Sequence, residues 1–296
     1  MSNEIIAPAA EAPEYTPVEV NVKSLIEAGA HYGHQVQRWC PKMLPYIYTK
    51  RNGVHVINLD HTVSSWEKAQ KFIKETAERG GTFLFVGTKT QARGIVLDAA
   101  KRCGAFYINN RWLGGALSNF ETIKRSIAKM KKWEDMIAAS NDPNSDIRIS
   151  KKEKGVIQKE LVKLEVNLGG IRDMKRPPDV VFIVDVVRDH IAVDEVRALH
   201  IPLVALVDTN ADPDKVTYPI PCNDDAPKSV TLMANAIADT IIEGRKAYDR
   251  FRADAAARES AASNRGRGGQ KGKAPAAAKT EEVAATETPA TDVASF

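Results

Sequence analysis

The stretch Thr82-Phe83-Leu84-Phe85-Val86-Gly87-Thr88-Lys89-Thr90 decides the class of this fold. Four apolar side chains follow one another without alternation, as in a strand buried on both faces of a helix-covered parallel sheet. The polar turn from Gly87 to Thr90 leads into a helical pattern over 91–102, and a short strand reads at 106–108. The rhythm returns downstream as a strand at 180–184, a helix at 190–199, a strand at 203–207 and a long helix over 228–250. Strand–helix alternation of this kind predicts an α/β domain, a parallel sheet with helices on both faces. Upstream, a short helix over 22–29 is closed by Gly29. A helix over 62–79 gathers Trp66, Ala69, Phe72, Ile73 and Ala77 on one side. Between these helices, Asn52-Gly53 joins apolar segments at 46–48 and 54–58, a β-hairpin with a type I′ turn. The run His31-Tyr32-Gly33-His34-Gln35-Val36-Gln37-Arg38-Trp39-Cys40-Pro41-Lys42 has no periodicity and reads as a stacking and hydrogen-bonding loop.

Residues 118–170 interrupt the alternation. Ser118 with Glu121 three places on is a capping-box pattern, and Phe120, Ile123, Ile127, Met130, Trp133 and Ile137 recur at helical spacing. Turn chemistry fills 139–150. A second stripe, Ile157, Leu161, Leu164, Leu168 and Ile171, ends at Gly169-Gly170. Two stripes joined by a polar loop predict an inserted antiparallel coiled-coil helical hairpin. Its polar faces carry Lys124, Arg125, Lys129, Lys131, Lys132, Lys151, Lys152, Lys154, Lys159 and Lys163. The expected organisation is a disordered leader at 1–20, an α/β domain at 21–117 and 173–251, the hairpin at 118–172, and a disordered tail at 252–296.

Charge is distributed unevenly along the chain. Its net +4 over 296 residues hides a segment, 21–172, with 26 basic against 14 acidic residues, followed by 173–251 with 9 against 14. Such a lopsided distribution is the footprint of a protein that meets a polyanion on one side. The first twenty residues hold four Glu, no Lys or Arg and no apolar core, unlike a secretory signal. No apolar run approaches the roughly 20 residues of a membrane span. Three scattered cysteines suit reduced thiols better than a disulfide framework. The tail carries an Arg-Gly patch around Arg265-Gly266-Arg267-Gly268, a composition of disordered segments that is more often solubilising than RNA-binding.

An open parallel sheet binds ligands at the carboxyl ends of its strands. There, Thr88, Lys89, Thr90 and Arg93 stand at a helix start, a seat for phosphate, without the Gly-rich cradle of a P-loop. Asp185 and Asp208 end two strands, with Asp189, His190 and Asp212 close in sequence. Such carboxylates bind a divalent cation or exchange protons, but capping and turn formation is the commoner use and is favoured here. His31, His34 and Cys40 offer three zinc donors, although their spacing matches no closed structural site. No Gly-x-Ser-x-Gly, His-Glu-x-x-His or Cys–His constellation occurs. Two functions of different classes remain: a structural RNA-binding protein, and a doubly wound enzyme acting on a phosphorylated small molecule through Lys89, Arg93, Asp185 and Asp208. A free RNA- or protein-binding adaptor is a third.

Four longer motifs resemble the bacterial small-subunit ribosomal protein S2 family. They are Leu25-Ile26-Glu27-Ala28-Gly29-Ala30-His31-Tyr32-Gly33-His34 with Arg38-Trp39-Cys40-Pro41-Lys42-Met43; Asn110-Arg111-Trp112-Leu113-Gly114-Gly115-Ala116-Leu117-Ser118-Asn119-Phe120; Pro177-Pro178-Asp179 through Asp185, His190, Glu195 and Ile201-Pro202; and Val207-Asp208-Thr209-Asn210-Ala211-Asp212-Pro213 with Ile220-Pro221-Cys222-Asn223-Asp224-Asp225-Ala226. Cys40 and Cys222 depart from the family's usual Asn and Gly. The resemblance implies a flavodoxin-like domain with a protruding coiled coil, seated on small-subunit ribosomal RNA. It further implies late subunit assembly, docking of the large mRNA-binding protein of that subunit among neighbouring ribosomal proteins, no membrane, and a cytoplasmic, ribosome-associated place. Together with the charge pattern it makes Arg38, Trp39, Lys42, Lys50, Arg51, Arg111, Lys124, Lys129, Lys131, Lys132 and Lys151 the expected RNA contacts. Arg111 and Trp112 read equally as packing residues that set the hairpin's angle. The acidic segment 173–251 is expected to face solvent or a protein partner.

Overall fold

The computed structural model describes residues 18–141 and 150–267. Five strands, β4 (Phe83–Val86), β5 (Phe106–Ile108), β6 (Val180–Ile183), β7 (Leu203–Val207) and β8 (Tyr218–Pro221), form one sheet in the order β5-β4-β6-β7-β8. Every neighbouring pair is parallel. Counted along the sheet this is the 2-1-3-4-5 order of flavodoxin-like folds, as expected. All side chains of β4, β6 and β7 are buried, because helices cover both faces and leave no solvent side to alternate with. Phe83, Phe85, Phe182, Val204 and Leu206 pack on one face with α2 (Leu59–Glu78), α3 (Arg93–Cys103) and the first turns of α7 (Pro227–Arg267). Leu84, Val86, Val181, Ile183 and Val207 pack on the other with α6 (His190–Ala198) and the start of α4 (Phe120–Asn141).

After α1 (Val22–Glu27) the chain forms a second sheet, antiparallel, from β1 (Tyr32–Gln35), β2 (Ile47–Arg51) and β3 (Val54–Ile57), in the order β1-β3-β2. Asn52 and Gly53 both take left-handed φ, 50° and 77°, as a type I′ turn requires. The expected loop over 31–42 is instead a strand and two 3₁₀ turns, Val36–Arg38 and Pro41–Tyr46. No residue of β1 is fully buried, so the sequence carries no alternation to announce it. β8 also escaped the reading, because its two prolines argue against a strand; they are tolerated at the sheet edge. α2 starts at Leu59 rather than at residue 62, with the Asn58 side chain accepting from the Asp60 amide. α7 continues to Arg267, past the expected end at 250. Most of the expected leader, of the turn at 139–150 and of the tail lies outside the described residues.

Between β5 and β6 lie α4 and α5 (Lys151–Leu168), the latter capped by Ser150, whose hydroxyl accepts from the Glu153 amide 3.2 Å away. Phe120, Ile123, Ile127 and Met130 of α4 and Ile157 and Leu168 of α5 are buried. Ser118 does not form the expected capping box. Its amide and hydroxyl both donate to Glu195, 3.1 Å away, and α4 begins two residues later. Glu195, on α6, also accepts from Trp112 Nε1 at 3.0 Å and from the amides of Gly115 at 2.7 Å and Leu117 at 3.0 Å. One carboxylate thus gathers the whole β5–α4 connection. Trp112 is buried with it, which makes it a packing residue. Burial pushes the Glu195 carboxyl up, but the donors from Ser118, Trp112, Leu117 and Gly115 outweigh burial and hold it below the ordinary carboxylate range. At the other root of the helix pair, a Cβ on Gly170 would lie 2.1 Å from the Tyr107 carbonyl oxygen and 2.5 Å from its ring. Asn110 Nδ2 donates to Asn167 Oδ1 at 2.9 Å beside it, and Arg172 pairs with Glu134 of α4.

Unfolding experiments on three variants test these contacts. Gly170→Ala should cost roughly 1–3 kcal/mol through overpacking, whereas Gly94→Ala, with nothing within 4 Å of the new Cβ, should stabilise by about 0.5–1 kcal/mol. Glu195→Gln should cost roughly 1.5–3 kcal/mol in urea at pH 7, the value of hydrogen bonds to a charged group. A carboxyl with a depressed folded pKa contributes stability above its unfolded value near 4.3 and loses it as pH falls through the folded value. The gap between wild type and variant should therefore be full at pH 6 and close progressively below about pH 4; a gap independent of pH would exclude the ionised carboxylate as its source.

Candidate functional site

The carboxyl ends of β4, β6, β7 and β8 meet the N-terminal sheet, and the junction is ionic. Lys89, only 9% exposed, leaves β4 and reaches Asp224 at 2.9 Å, Asp185 at 3.4 Å and Asp225. His34 of β1 lies with Nδ1 3.0 Å from Asp208 and Nε2 3.4 Å from Asp225. Gly33 permits the approach: a Cβ there would sit 2.5 Å from the Thr209 methyl. The His34 amide donates to Thr209 Oγ1 at 2.9 Å, and the Cys40 amide to the Thr209 carbonyl at 2.7 Å. Burial pulls the Lys89 ammonium down, but Asp224, Asp225 and Asp185 more than reverse it and hold it above the ordinary lysine range. Asp224 is pushed up to about 7, by burial first and then by Asp185 and Asp208, against the pull of Lys89. The Asp208 contact raises His34, with burial acting against it.

These contacts revise several expectations. Lys89 is the internal counter-ion of the strand-end aspartates and is not free to hold a phosphate. Asp185 shapes its turn, accepting from the Val187 and Arg188 amides at 3.0 and 2.8 Å. Asp189 precedes α6 without capping it; its carboxylate takes the Thr88 hydroxyl at 2.8 Å instead, and burial raises its pKa. His190 is exposed, with Nδ1 3.3 Å from the Val187 carbonyl. Asp185, Asp189, Asp208 and Asp224 are all buried, so these four of the acidic segment face inward rather than toward solvent. The zinc set His31, His34 and Cys40 is not gathered. Among the described residues the donors close enough to share a cation are His34, Asp208 and Asp224, with one ligand atom of each within 4.8 Å of the others. Chain order separates His34 from these aspartates by more than 170 residues, which is why spacing could not find them. Cys103 and Cys222 are buried free thiols, the latter pushed up to about 12 by burial, and Cys40 is half-buried and free.

Next to this network, toward β5, a cleft of about 500 Å³ opens between the ends of β4 and β6. Arg93, Arg111 and Arg188 line it together with Thr88 and Asn110. Arg93 and Arg188 were not among the expected RNA contacts, because only the topology of the sheet brings them together.

The expected RNA contacts occupy several surfaces. Lys50 and Arg51 are exposed on β2, Arg38 ends the first 3₁₀ turn, and Arg111 is exposed after β5. Trp39 is half-buried, its ring 5.4 Å from that of His55. Lys42 is half-exposed but paired with Asp212 at 2.9 Å and Asp214 at 2.8 Å. On α4, Lys124 pairs with Glu121 and Lys131 with Asp173, Lys129 lies 4.4 Å over the Trp133 ring, and Lys132 is exposed. Lys151 is exposed at the start of α5.

Comparison with known proteins bears on this arrangement. The family model described as Ribosomal protein S2 matches residues 25–244. The small ribosomal subunit protein uS2 of Dictyoglomus turgidum is 51% identical over 224 residues, 76% of this chain and 89% of the relative. That of Petrotoga mobilis is 48% identical over 227 residues, 77% of each chain. The Picosynechococcus protein of the same name is 50% identical over 226 residues, covering 76% of this chain and 87% of its own. The matched span runs from α1 into α7 and takes in both sheets, the aspartate network and the arginine cleft: the chain belongs to the ribosomal protein S2 family.

Proposed function

We propose that the chain works as a structural, non-enzymatic constituent of the small ribosomal subunit, binding its rRNA, supporting late subunit assembly, and helping to dock the subunit's large mRNA-binding protein. The observation that carries the RNA reading is the fate of the charges. The basic segment keeps Lys50, Arg51, Arg111, Arg125, Lys129, Lys132 and Lys151 exposed, while the acidic segment buries Asp185, Asp189, Asp208 and Asp224. Folding therefore makes the surface more positive than the sequence count. Cations presented in this way hold RNA through its phosphates, in a salt-dependent and sequence-independent manner. The packed pair α4 and α5 acts as an arm inserted into the α/β domain, its base set by Glu195 and Gly170.

The protein-docking reading rests on a different surface. Val22, Ile26, Tyr32 and Tyr48 are 40%, 52%, 56% and 75% exposed around α1 and the N-terminal sheet. Val22, Ile26 and Tyr48 line one shallow hollow, and contiguous exposed apolar surface of this kind marks protein contact sites. Among the described residues no helix is long and apolar enough to cross a membrane. The proposed place of action is the cytoplasm, on the ribosome.

Replacing Lys129, Lys131, Lys132 and Lys151 together with Gln should lower incorporation into small subunits on sucrose gradients. The deficit in binding should be greatest at low salt and narrow as salt rises, since each lost phosphate contact removes roughly 0.7–0.9 from the log–log salt slope. Unchanged incorporation with an unchanged slope would remove the helix pair from the RNA interface.

A further inference from the structure

In a parallel sheet ordered 2-1-3-4-5, ligands bind where the strand order reverses, at the carboxyl ends of the first and third strands. Here those strands are β4 and β6. The chain fills the part of this crevice toward β7 and β8 with Lys89 and its aspartates. The part toward β5 stays open as the arginine cleft.

Thr88 organises that cleft. Its hydroxyl donates to Asp189 Oδ1 at 2.8 Å and accepts from Arg188 Nε at 3.1 Å. Its carbonyl accepts from Arg93 Nε at 3.0 Å, and Arg93 Nη2 donates to the Asn110 carbonyl at 3.3 Å. Two guanidiniums are thus fixed on either side of one threonine through their Nε atoms. Among the described residues both Nη groups of Arg188 are without a partner, and Arg111, exposed on the rim, makes no hydrogen bond or ion pair. Three arginines face a single carboxylate, Asp189, whose oxygens are already turned to Thr88. A fork held through Nε leaves its remaining donors in the geometry that binds phosphate oxygens in pairs.

We propose that this cleft seats one backbone phosphate of an RNA strand, held by Arg111 and Arg188 with Arg93 behind them. The inference rests on the small-subunit reading above and adds two residues to its RNA contacts, Arg93 and Arg188. A phosphodiester fits better than a free nucleotide because the cleft has charge but no platform for a base: its tryptophan, Trp112, is 6% exposed and its N–H is committed to Glu195.

The test uses the full chain and full-length small-subunit rRNA, with binding measured across a salt series. Arg111→Gln combined with Arg188→Gln changes two exposed side chains; thermal unfolding matched to wild type shows that the fold is kept. The expected result is a slope smaller by about 0.7–0.9 and roughly ten- to hundredfold weaker binding at low salt. The Arg111→Lys, Arg188→Lys pair should keep the slope, since it keeps the charge. A double Gln variant with the wild-type slope overturns the cleft assignment and leaves the small-subunit reading intact. Wild-type protein showing no salt-dependent binding to this rRNA would end that reading and the proposal together. In a second arm, a nucleoside 5′-monophosphate is titrated while tryptophan fluorescence is followed. Saturable micromolar binding that the double Gln variant loses would make the ligand a free nucleotide and overturn the RNA assignment; no saturation agrees with a phosphate of a continuing strand.

Discussion

Lys89 carries a positive charge into a place where the sheet has gathered negative ones. The carboxyl ends of β4, β6, β7 and β8 bring Asp185, Asp208 and Asp224 together, all of them buried. Burial first, and then like charges this close, disfavour ionisation, and together they push Asp224 up to about 7. Lys89 answers from within, and His34 adds a second group of opposite tendency from the N-terminal sheet. The second sheet is thereby attached to the first through His34, Gly33 and Thr209, beside the apolar packing of Met43 and Ile47 against the main sheet. A buried ion network of this kind is weak evidence of high stability, but removing one member leaves uncompensated charge.

The same network shows how an architecture common among enzymes commits its strand-end residues to structure. In this sheet order a ligand belongs in the crevice at the strand ends, and half of that crevice is occupied by the chain's own lysine and aspartates. The other half holds arginines braced by Thr88. What would be a substrate site in another chain is divided into a structural weld and a basic cleft. Glu195 plays a comparable role for the helix pair, collecting five donors from the β5–α4 connection and fixing the root of α4 against α6. Both are single charged groups organising connections that the apolar core leaves unspecified.

The core was legible because it obeys periodicity. Phe83 to Val86 announced a strand buried on both sides, and Asn52-Gly53 announced its turn. Elements stabilised by pairing rather than by burial were not legible: β1 is half-exposed, and β8 carries two prolines at a sheet edge. Charged contacts were legible only as residue types. Asp189 looked like a cap and binds Thr88; Ser118 looked like a cap and binds Glu195. In both cases the competing partner comes from a distant segment, and local spacing has no access to it. The arginine cleft was invisible for the same reason, since Arg93, Arg111 and Arg188 meet only through the order of the strands.

The claim that decides between scaffold and enzyme is that Lys89 serves as a structural counter-ion. Equilibrium urea unfolding of Lys89→Met at pH 7 tests it most directly. Stripping the lysine from a buried carboxylate cluster should cost about 3–5 kcal/mol, with the transition remaining cooperative. A phosphate-binding lysine in a ligand site would behave oppositely, because such residues are held at the expense of stability. Unchanged or increased stability of the variant would contradict the account.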